Sequence, residues 1–591
     1  MIVTTTLIRI HKWRVKNMSH HNFILILSLI VGLISGLSAV VLKNTVYYTH
    51  FFLIRGFDID SGNYLYLAYP LAGMALTVLF IRYVVKDNIS HGVSKILYAI
   101  SRNNSHLKVH NNYSSMIAST ITVGFGGSVG LEAPIVLTGA SIGSNLARVM
   151  RMDYRSITLM IGCGAAGAIA GIFKAPVAAV IFALEVLMLD LTMGSLIPLL
   201  IAAVTGATVS SFLMGKAVLF SFSVTDPFNL HNIPFYMILG VITGFVSLYF
   251  TRANLFIETA FTRINSPYTR LLLGGLALSL LIFLFPPLYG EGYEVLTDIL
   301  NGRGDAIVNN SLFHSFSESH WLFISFLLMV LFFKVIAMTF TNAGGGVGGI
   351  FAPSLFMGGV TGFLTARFFN YFDFIRLPES NFALAGMAGV MAAVMHAPLT
   401  AIFLIAEITG GYEFFIPLII TSTIAFLTIN FYEPHSIYTK RLAARGELIT
   451  HDKDKAALSR MQINRLIEHN FLTVGPDATL GELVKVIARS ERNVFPVTDG
   501  DNNFLGVVFI NEIRHIMFNH ELYDTTFVRN LMFMPEPRVN IDETMEDVAH
   551  KFSECAHYNL PVLDRGKYIG FVSRANVFSA YRNLVRESSQ D

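Results

Sequence analysis

GAAGAIAGIFKAPVAAVIFALE, at residues 164–185, recurs later in the chain as GMAGVMAAVMHAPLTAIFLIAE, at residues 386–407, and the two stretches align without a gap. The matching positions that carry the same residue include Gly164 and Gly386, Gly167 and Gly389, Pro176 and Pro398, and Glu185 and Glu407. Chance is a poor explanation for these coincidences. An internal repeat of this kind indicates a fold built from two related halves.

A second pair of related stretches lies upstream of the first pair. GGSVGLEAP (126–134) ends 42 residues before Pro176, and GGGVGGIFAP (344–353) ends 45 residues before Pro398. The order and the spacing of the two pairs therefore agree. We predict two repeats, at about residues 20–215 and 233–442.

The composition indicates a membrane protein. Hydrophobic residues make up 53% of the 591 residues and charged residues only 14%, against roughly 45–50% and 25% in soluble domains. Uncharged apolar runs of bilayer-spanning length recur at residues 22–42, 61–81, 191–215, 233–251, 271–290, 335–366 and 414–432. We therefore predict a mostly α-helical polytopic protein whose helices form a bundle.

Glycine and proline interrupt the apolar segments at matching positions of the two halves. Such interruptions are typical of transporters whose broken helices meet near the bilayer centre. Close packing of small residues between helices is the alternative interpretation for any single glycine. Ala-Pro after a glycine-rich stretch predicts a helix start, because proline is tolerated in the first turn. A helix that starts inside the membrane directs unpaired N–H groups into the gap, and the gap then attracts an anion.

Glu132 is the one acid in GGSVGLEAP. At an anion site its carboxylate can occupy the place of a permeating ion until protonation or displacement moves it away, so we predict that Glu132 is a gate. The alternative is a glutamate that caps its own helix or lies neutral in the interior. Ionisable groups inside membranes are usually functional, but the sequence leaves structural and functional roles open for Glu185, Glu407, Lys174 and Lys334.

With these motifs in place, residues 20–445 resemble the CLC family of chloride channels and proton/chloride exchangers. GLEAP stands where the family has Gly-Arg-Glu-Gly-Pro, GIFAP (349–353) matches its Gly-x-Phe-x-Pro motif, and both Ala-Pro segments follow in order. The resemblance implies a CLC-type membrane domain at residues 21–445, with two inverted repeats of tilted and broken helices. It also implies a homodimer in the lipid bilayer with one anion pathway per subunit.

The resemblance further implies which residues act on the anion. The glutamate that matches Glu132 is the family's external gate, and the amides that match Ile350 and Phe351 bind chloride. A tyrosine near the end of the membrane domain also binds it, and SIYTKRLAARG offers Tyr438. Chloride is then the permeating ligand, and no cofactor and no metal is required.

The first anion motif departs from the family pattern. SHGVS (90–94) stands where the family has Gly-Ser-Gly-Ile-Pro, so that His91 replaces the coordinating serine. A histidine can donate an N–H to an anion, and its charge then varies with pH; a His91 that binds no anion is the equal alternative. Ser90 or Ser94 can also substitute for the missing serine. Beside the gate, Leu131 replaces an arginine.

A further departure concerns protons. Exchangers of the family carry an internal glutamate directly after the position of Glu185, and here that position is Val186. A valine side chain carries no proton. We therefore favour an anion channel, with proton/chloride antiport by a different internal route as the alternative.

The C-terminal region is polar and contains its own repeat. FPVTDGDNNFLGVVFINEI (495–513) resembles LPVLDRGKYIGFVSRANV (560–577), and a helical stretch precedes each copy. After a linker at residues 446–460, this region looks like a pair of small α/β CBS domains at residues 461–520 and 525–585.

Such pairs often bind adenine nucleotides through a Ser or Thr and an acid at the end of the last strand. Ser573 and Asn576 partly fit that pattern. A purely structural or dimerising tail is the alternative interpretation.

The remaining features limit location and function class. Arg9, Lys12, Arg14 and Lys16 precede the first apolar run, so we predict that the N-terminal segment (1–20) and the CBS tail are cytoplasmic and that the protein lies in the cell membrane. The net charge of +2 indicates no nucleic-acid partner. No arrangement of catalytic or metal-binding residues favours an enzyme.

Overall fold

The computed structural model describes residues 17–54, 64–89, 92–189, 192–215, 228–308, 311, 313, 319–372, 376–410, 412–444, 458, 461–555 and 557–589. These residues form two compact units, which divide between residues 448 and 449. The first unit is apolar and helical, and the second mixes short strands with helices. The predicted fold class is therefore confirmed.

The helices of the first unit fall into two halves. The first half contains α1 (His20–Ile54), α2 (Leu65–Leu79), α3 (Gly92–Arg102), α4 (Ser114–Gly124), α5 (Glu132–Val149), α6 (Tyr154–Phe173), α7 (Pro176–Glu185) and α8 (Met193–Met214). The second half contains α9 (Ile233–Thr262), α10 (Pro267–Leu284), α11 (Tyr293–Leu300), α12 (His320–Ala343), α13 (Phe351–Tyr371), α14 (Glu379–Met395), α15 (Pro398–Thr409), α16 (Phe415–Tyr432) and α17 (Lys440–Ala444).

Eight helices of the described residues are long and apolar enough to cross a membrane: His20–Leu53, Leu65–Val85, Tyr154–Phe173, Gly194–Met214, Leu230–Thr262, Pro267–Leu284, His320–Ala343 and Phe415–Tyr432. Shorter apolar helices such as Pro176–Glu185 and Pro398–Thr409 lie between them. The predicted helix starts at the prolines are confirmed, because α7 and α15 begin at Pro176 and Pro398.

Two expectations about the spans are wrong. The apolar run at 335–366 is not one span, because α12 ends at Ala343 and α13 begins only at Phe351. The glycines between them break the helix, and Gly345 adopts a φ of +105°, which favours glycine. Conversely, Tyr154–Phe173 is a candidate span that the list of apolar runs omits. It is as hydrophobic as several of the other spans, but Arg155 and Lys174 bound its uncharged stretch. It is also largely buried inside the protein.

The repeat glycines of α6 and α14 are packing positions. A Cβ on Gly164 would lie 1.9 Å from the carbonyl oxygen of Gly139, and a Cβ on Gly386 would lie 2.2 Å from that of Gly358. In each half, the helix that begins at the glycine-rich loop thus crosses its successor at backbone contact. For these glycines the small-residue packing interpretation is correct.

The second unit has the predicted order of strand, turn, strand and helix in both copies. Its strands are β1 (Ile467–Glu468), β2 (Val494–Thr498), β3 (Phe504–Phe509), β4 (Val539–Asn540), β5 (Asn559–Asp564) and β6 (Lys567–Ser573). Its helices are α18 (Leu480–Ile487), α19 (Ile510–Ile513), α20 (Met545–Glu554) and α21 (Arg574–Ser589). β2 and β3 form one antiparallel sheet, and the other sheet has the order β1, β6, β5, β4.

The two copies are joined at their hairpins. The N–H of Phe504 donates to the carbonyl of Gly566 at 3.0 Å, and the N–H of Tyr568 donates to that of Asn502 at 3.0 Å. β1 belongs to the start of the unit but pairs with β6 at its end. These cross-connections make the pair a single packed body.

Candidate functional site

The candidate functional site lies where a loop of the first half meets a loop of the second half. The loop before α5 and the loop before α13 form an antiparallel bridge through Gly130 and Gly349. The N–H of Gly130 donates to the carbonyl of Gly349 at 2.9 Å, and the N–H of Gly349 donates to that of Gly130 at 2.7 Å. We call this contact the glycine bridge.

A second reciprocal pair of hydrogen bonds flanks the glycine bridge. The N–H of Ser128 donates to the hydroxyl of Thr341 at 3.2 Å, and the N–H of Val347 donates to the hydroxyl of Thr122 at 3.1 Å. Each loop therefore donates a backbone N–H to a threonine hydroxyl of the other half. This is the contact expected between inverted repeats, and it brings the starts of α5 and α13 side by side.

Glu132 is the first residue of α5 and is only 3% exposed. Its Oε1 accepts a hydrogen bond of 2.6 Å from the Tyr293 hydroxyl. Its Oε2 is buried and finds no donor in ordinary geometry among the described residues. A Cβ on Gly130 would lie 2.0 Å from Oε2, so Gly130 has to be glycine for the carboxylate to take this position.

Lys334 ties the segment before α11 to the first half. It is fully buried, and its Nζ donates to Ser128 Oγ at 2.9 Å and to the carbonyl of Gly290 at 3.1 Å. Next to Gly290, the Oε1 of Glu291 accepts from the N–H of Leu131 at 3.3 Å. Lys334 therefore does not reach towards solvent; its Nζ lies close to the start of α5.

A cavity in the first unit is lined by the starts of several helices. Its walls are Gly92, Val93 and Ser94 of α3, Ala133 of α5, Gly348, Gly349 and Ile350 before α13, Ile437 and Tyr438 before α17, Asn254, Leu255 and Glu258 of α9, and Asn342 of α12. Each helix start presents N–H groups without intrahelical partners and the positive end of its dipole. Starts from both halves thus converge on one space, which suits an anion.

The structure brings together most of the residues that the sequence assigns to the anion. Ile350 and Tyr438 line the cavity. Phe351, the next residue after Ile350 in the chain, is buried, and the centroid of its ring lies 5.1 Å from that of Phe173 in a stacked arrangement. The Ser94 hydroxyl donates to the carbonyl of Tyr438 at 2.9 Å. These contacts place the start of α3 and the end of the membrane unit beside the same cavity.

The remaining residues of the first anion motif cannot be placed. Ser90 and His91 lie outside the described residues, as does the basic N-terminal segment up to Lys16. Ser94 is therefore the hydroxyl of this motif that the structure places at the cavity. The role of His91 stays a prediction.

The repeat glutamates Glu185 and Glu407 join the two halves. Glu185 accepts hydrogen bonds from the N–H groups of Leu399 at 3.2 Å and Thr400 at 2.8 Å, at the start of α15. Glu407 accepts from the N–H groups of Val177 at 3.2 Å and Ala178 at 2.9 Å, at the start of α7. Each glutamate caps the repeat helix of the other half, so their role is structural.

Two positions in the membrane unit bear on whether a side chain there can bind a proton. Val186 is 4% exposed and follows the capping glutamate Glu185 directly, so this position offers no proton acceptor. Glu258 of α9 is buried and lines the cavity together with Tyr438. Sequence reasoning missed Glu258, because only the fold shows that this acid in a long apolar helix faces the cavity.

The predicted nucleotide residues lie close together at the end of β6. Ser573 Oγ accepts from the N–H of Asn576 at 3.2 Å, which caps the start of α21. The side-chain amide of Asn576 donates to Glu468 on β1 at 2.8 Å. Glu468, which sequence reasoning did not identify, is thus an acid beside these two residues, and it also forms an ion pair with Arg492.

Comparison with known proteins assigns the family. The family model described as voltage gated chloride channel matches residues 72–430. The chain belongs to the voltage-gated chloride channel family. The CBS domain model matches residues 463–519 and 528–583, so this chloride channel family member carries a C-terminal CBS pair. Proteins of this family are channels or transporters and not enzymes.

Curated relatives from bacteria and plants are similar over most of the membrane unit. A putative chloride channel protein ClcB-like of Ralstonia nicotianae is 29% identical over 387 residues, covering 64% of this chain and 85% of the relative. Chloride channel protein CLC-f of Arabidopsis thaliana is 24% identical over 559 residues, covering 84% of this chain and 70% of the relative.

Solved structures share the fold. A slow cyanobacterial Cl-/H+ antiporter gives a TM-score of 0.59 at 22% identity and covers 71% of this chain and 97% of its own. A eukaryotic CLC transporter gives a TM-score of 0.61 at 17% identity and covers 94% of this chain and 99% of its own. At these identities the likeness concerns the fold alone.

The cross-half caps generate a prediction about stability. We expect Glu185→Ala to lower the free energy of unfolding by roughly 1–3 kcal/mol, because the substitution leaves two helix N–H groups without an acceptor. Thermal unfolding of the purified full-length protein in detergent measures the effect. Glu413→Ala is the matched control, since Glu413 is exposed. An equal melting temperature for Glu185→Ala and wild type would contradict the structural role.

Proposed function

We propose that this chloride channel family member is an integral membrane anion channel with one chloride pathway in each subunit. The observation that carries the proposal is the cavity at Ile350 and Tyr438, on which helix starts of both halves converge. Their unpaired N–H groups offer positive potential. The described residues of the wall include no basic side chain and one acid, Glu258. A site of this kind holds an anion while still allowing its release, as conduction requires.

In this proposal Glu132 is the gate of the pathway. Its carboxylate lies at the start of α5, beside the glycine bridge, and so competes with an anion for the same positive region. The buried oxygen Oε2 supports this role, because a charged oxygen without a donor is held at a cost that protonation or movement relieves. Ile350, Phe351 and Tyr438 are the proposed chloride ligands, with Ser90, Ser94 or His91 completing the site.

The gate generates a prediction about chloride flux. We expect Glu132→Gln to raise chloride efflux from proteoliposomes at neutral pH to the level that wild type reaches in acid, because glutamine carries no charge to repel or replace the anion. The acid activation of wild type disappears in the variant. Glu294→Gln is the control, since Glu294 is an exposed acid that follows directly after Tyr293, the donor to Glu132. An unchanged flux and an unchanged pH response of Glu132→Gln would rule out the gating role.

The channel reading competes with proton/chloride antiport. Val186 supports the channel, because it leaves the usual internal proton site without an acid. Glu258 favours the alternative, since a buried carboxylate in the wall of the anion cavity can bind a proton on a different internal route. Two solved relatives are named as antiporters, one for chloride and protons and one for fluoride and protons.

A simultaneous record of chloride and pH separates the two candidates. For a channel, a chloride gradient across proteoliposomes drives no proton movement beyond that set by the membrane potential. We therefore expect that wild type takes up no protons against a proton gradient. Glu258→Gln should also take up none. Proton uptake in a fixed ratio to chloride that Glu258→Gln abolishes would establish antiport through Glu258.

The CBS pair is the proposed regulatory part of the protein. Ser573, Asn576 and Glu468 lie together at the end of β6 and supply a hydroxyl, an amide and an acid for an adenine nucleotide. We expect calorimetry on the full-length protein to detect binding of ATP, ADP or AMP. The double variant Ser573→Ala/Asn576→Ala should weaken this binding at least tenfold. Asn530→Ala, an exposed position of the same unit, is the control. Absence of binding by all three nucleotides would leave the tail a structural element.

Assembly and location complete the proposal. The family resemblance supports a homodimer, and the apolar side chains of Val177 and Leu399, exposed on the capped helices α7 and α15, offer a surface for the second subunit. The basic residues before α1 support a cytoplasmic N-terminus, with the CBS tail on the same side of the cell membrane.

A further inference from the structure

Tyr293 is the hydrogen-bond donor closest to the proposed gate. It is the first residue of α11, and its hydroxyl donates to Glu132 Oε1 at 2.6 Å. The other oxygen of this carboxylate, Oε2, accepts no hydrogen bond of normal distance and angle from the described residues. The backbone N–H of Ala352 acts on the carboxylate electrostatically. The phenol is therefore the side chain that holds the carboxylate in its observed position.

The backbone before α11 fixes the direction of the Tyr293 side chain. Gly292 adopts a φ of +85°, and a Cβ there would lie 2.5 Å from the ring of Phe356. One residue earlier, Glu291 accepts from the N–H of Leu131, and Lys334 donates to the carbonyl of Gly290. The segment is thus held to the first half directly at Leu131 and indirectly through Lys334, which also donates to Ser128. The phenol therefore approaches Glu132 from an anchored segment.

Other charged and titratable groups surround the same carboxylate. Glu291 interacts electrostatically with Glu132, and the charges of Lys43 on α1 and Lys334 on α12 act on Glu291. The phenol of Tyr438 also interacts with Glu132. Of these groups, Tyr293 is the one with a side-chain hydrogen bond to Glu132.

We propose that Tyr293 is a positioning residue that latches the ionised Glu132 in the closed gate. The proposal rests on the proposed function, because it requires Glu132 to gate an anion pathway. A phenol that donates to a carboxylate stabilises the charged form over the protonated one. Opening then requires that this hydrogen bond is broken, so the phenol sets the pH at which the gate opens.

The test compares two tyrosines that lie four residues apart. Tyr293→Phe removes the latch, whereas Tyr289→Phe removes a buried hydroxyl that has no hydrogen-bond partner among the described residues. Both changes delete one oxygen atom from an aromatic side chain. Chloride efflux from proteoliposomes is recorded against pH for wild type, both variants, Glu132→Gln, and Glu132→Gln combined with Tyr293→Phe.

We expect Tyr293→Phe to shift the midpoint of acid activation upwards by about one pH unit, the size of effect expected for one hydrogen bond to a carboxylate. Flux at neutral pH rises accordingly. Tyr289→Phe keeps the midpoint of wild type. In the Glu132→Gln background, Tyr293→Phe adds nothing, because no carboxylate remains to be held.

Two outcomes would overturn the latch: a midpoint in Tyr293→Phe equal to that of wild type, or an equal effect of Tyr293→Phe with and without the Glu132 carboxylate. If Tyr293→Phe does not fold, Tyr293→Leu replaces it, since it also removes the hydroxyl and leaves the Glu132 carboxylate unchanged, and the same upward shift is expected. A Glu132→Gln variant that behaves like wild type would instead reject the gate itself. The failure of the latch and the failure of the proposed function are thus distinguishable.

Discussion

The membrane unit depends on the two reciprocal hydrogen bonds between Gly130 and Gly349. They hold the non-helical loops of the two halves against each other, at a depth where unpaired backbone groups cannot turn to water. Because each loop satisfies the other, the helices that follow can begin inside the protein. Glycine is required at the bridge, since a Cβ on Gly130 would occupy the place of the Glu132 carboxylate. Glycine at position 130 therefore serves both purposes: it allows the hydrogen bonds that support the loops, and it leaves room for the carboxylate of the proposed gate.

The same reciprocity recurs away from the bridge. Glu185 and Glu407 each cap a helix of the opposite half, so that neither half has complete hydrogen bonding by itself. The proposed gate is shared in the same way, because Glu132 belongs to the first half and Tyr293 to the second. Functional groups at the interface between repeats respond to any relative shift of the two halves. Under the proposed function, this arrangement allows a small local event, such as protonation of one carboxylate, to open the pathway.

The sequence predicted what is encoded locally or by repetition. Glycine-rich loops followed by Ala-Pro predicted the helix starts, and the ungapped repeat predicted two halves. Contacts between distant segments were not predictable: no spacing rule connects Tyr293 with Glu132, or places Glu258 in the wall of the cavity. The apolar run at 335–366 was misjudged because hydropathy measures side chains, and the break before Phe351 arises from backbone freedom. The glutamates of the repeat were found, but their role as caps for the opposite half required the fold.

The central claim is that helix starts from both halves bind a halide and that the Glu132 carboxylate competes with it. Anomalous diffraction from crystals grown in bromide tests this most directly, with wild type and Glu132→Gln measured side by side. We predict a bromide peak beside Ile350 and Tyr438 in both proteins, and a second peak in Glu132→Gln at the place that the carboxylate leaves. Absence of bromide from the cavity in both proteins would contradict the account.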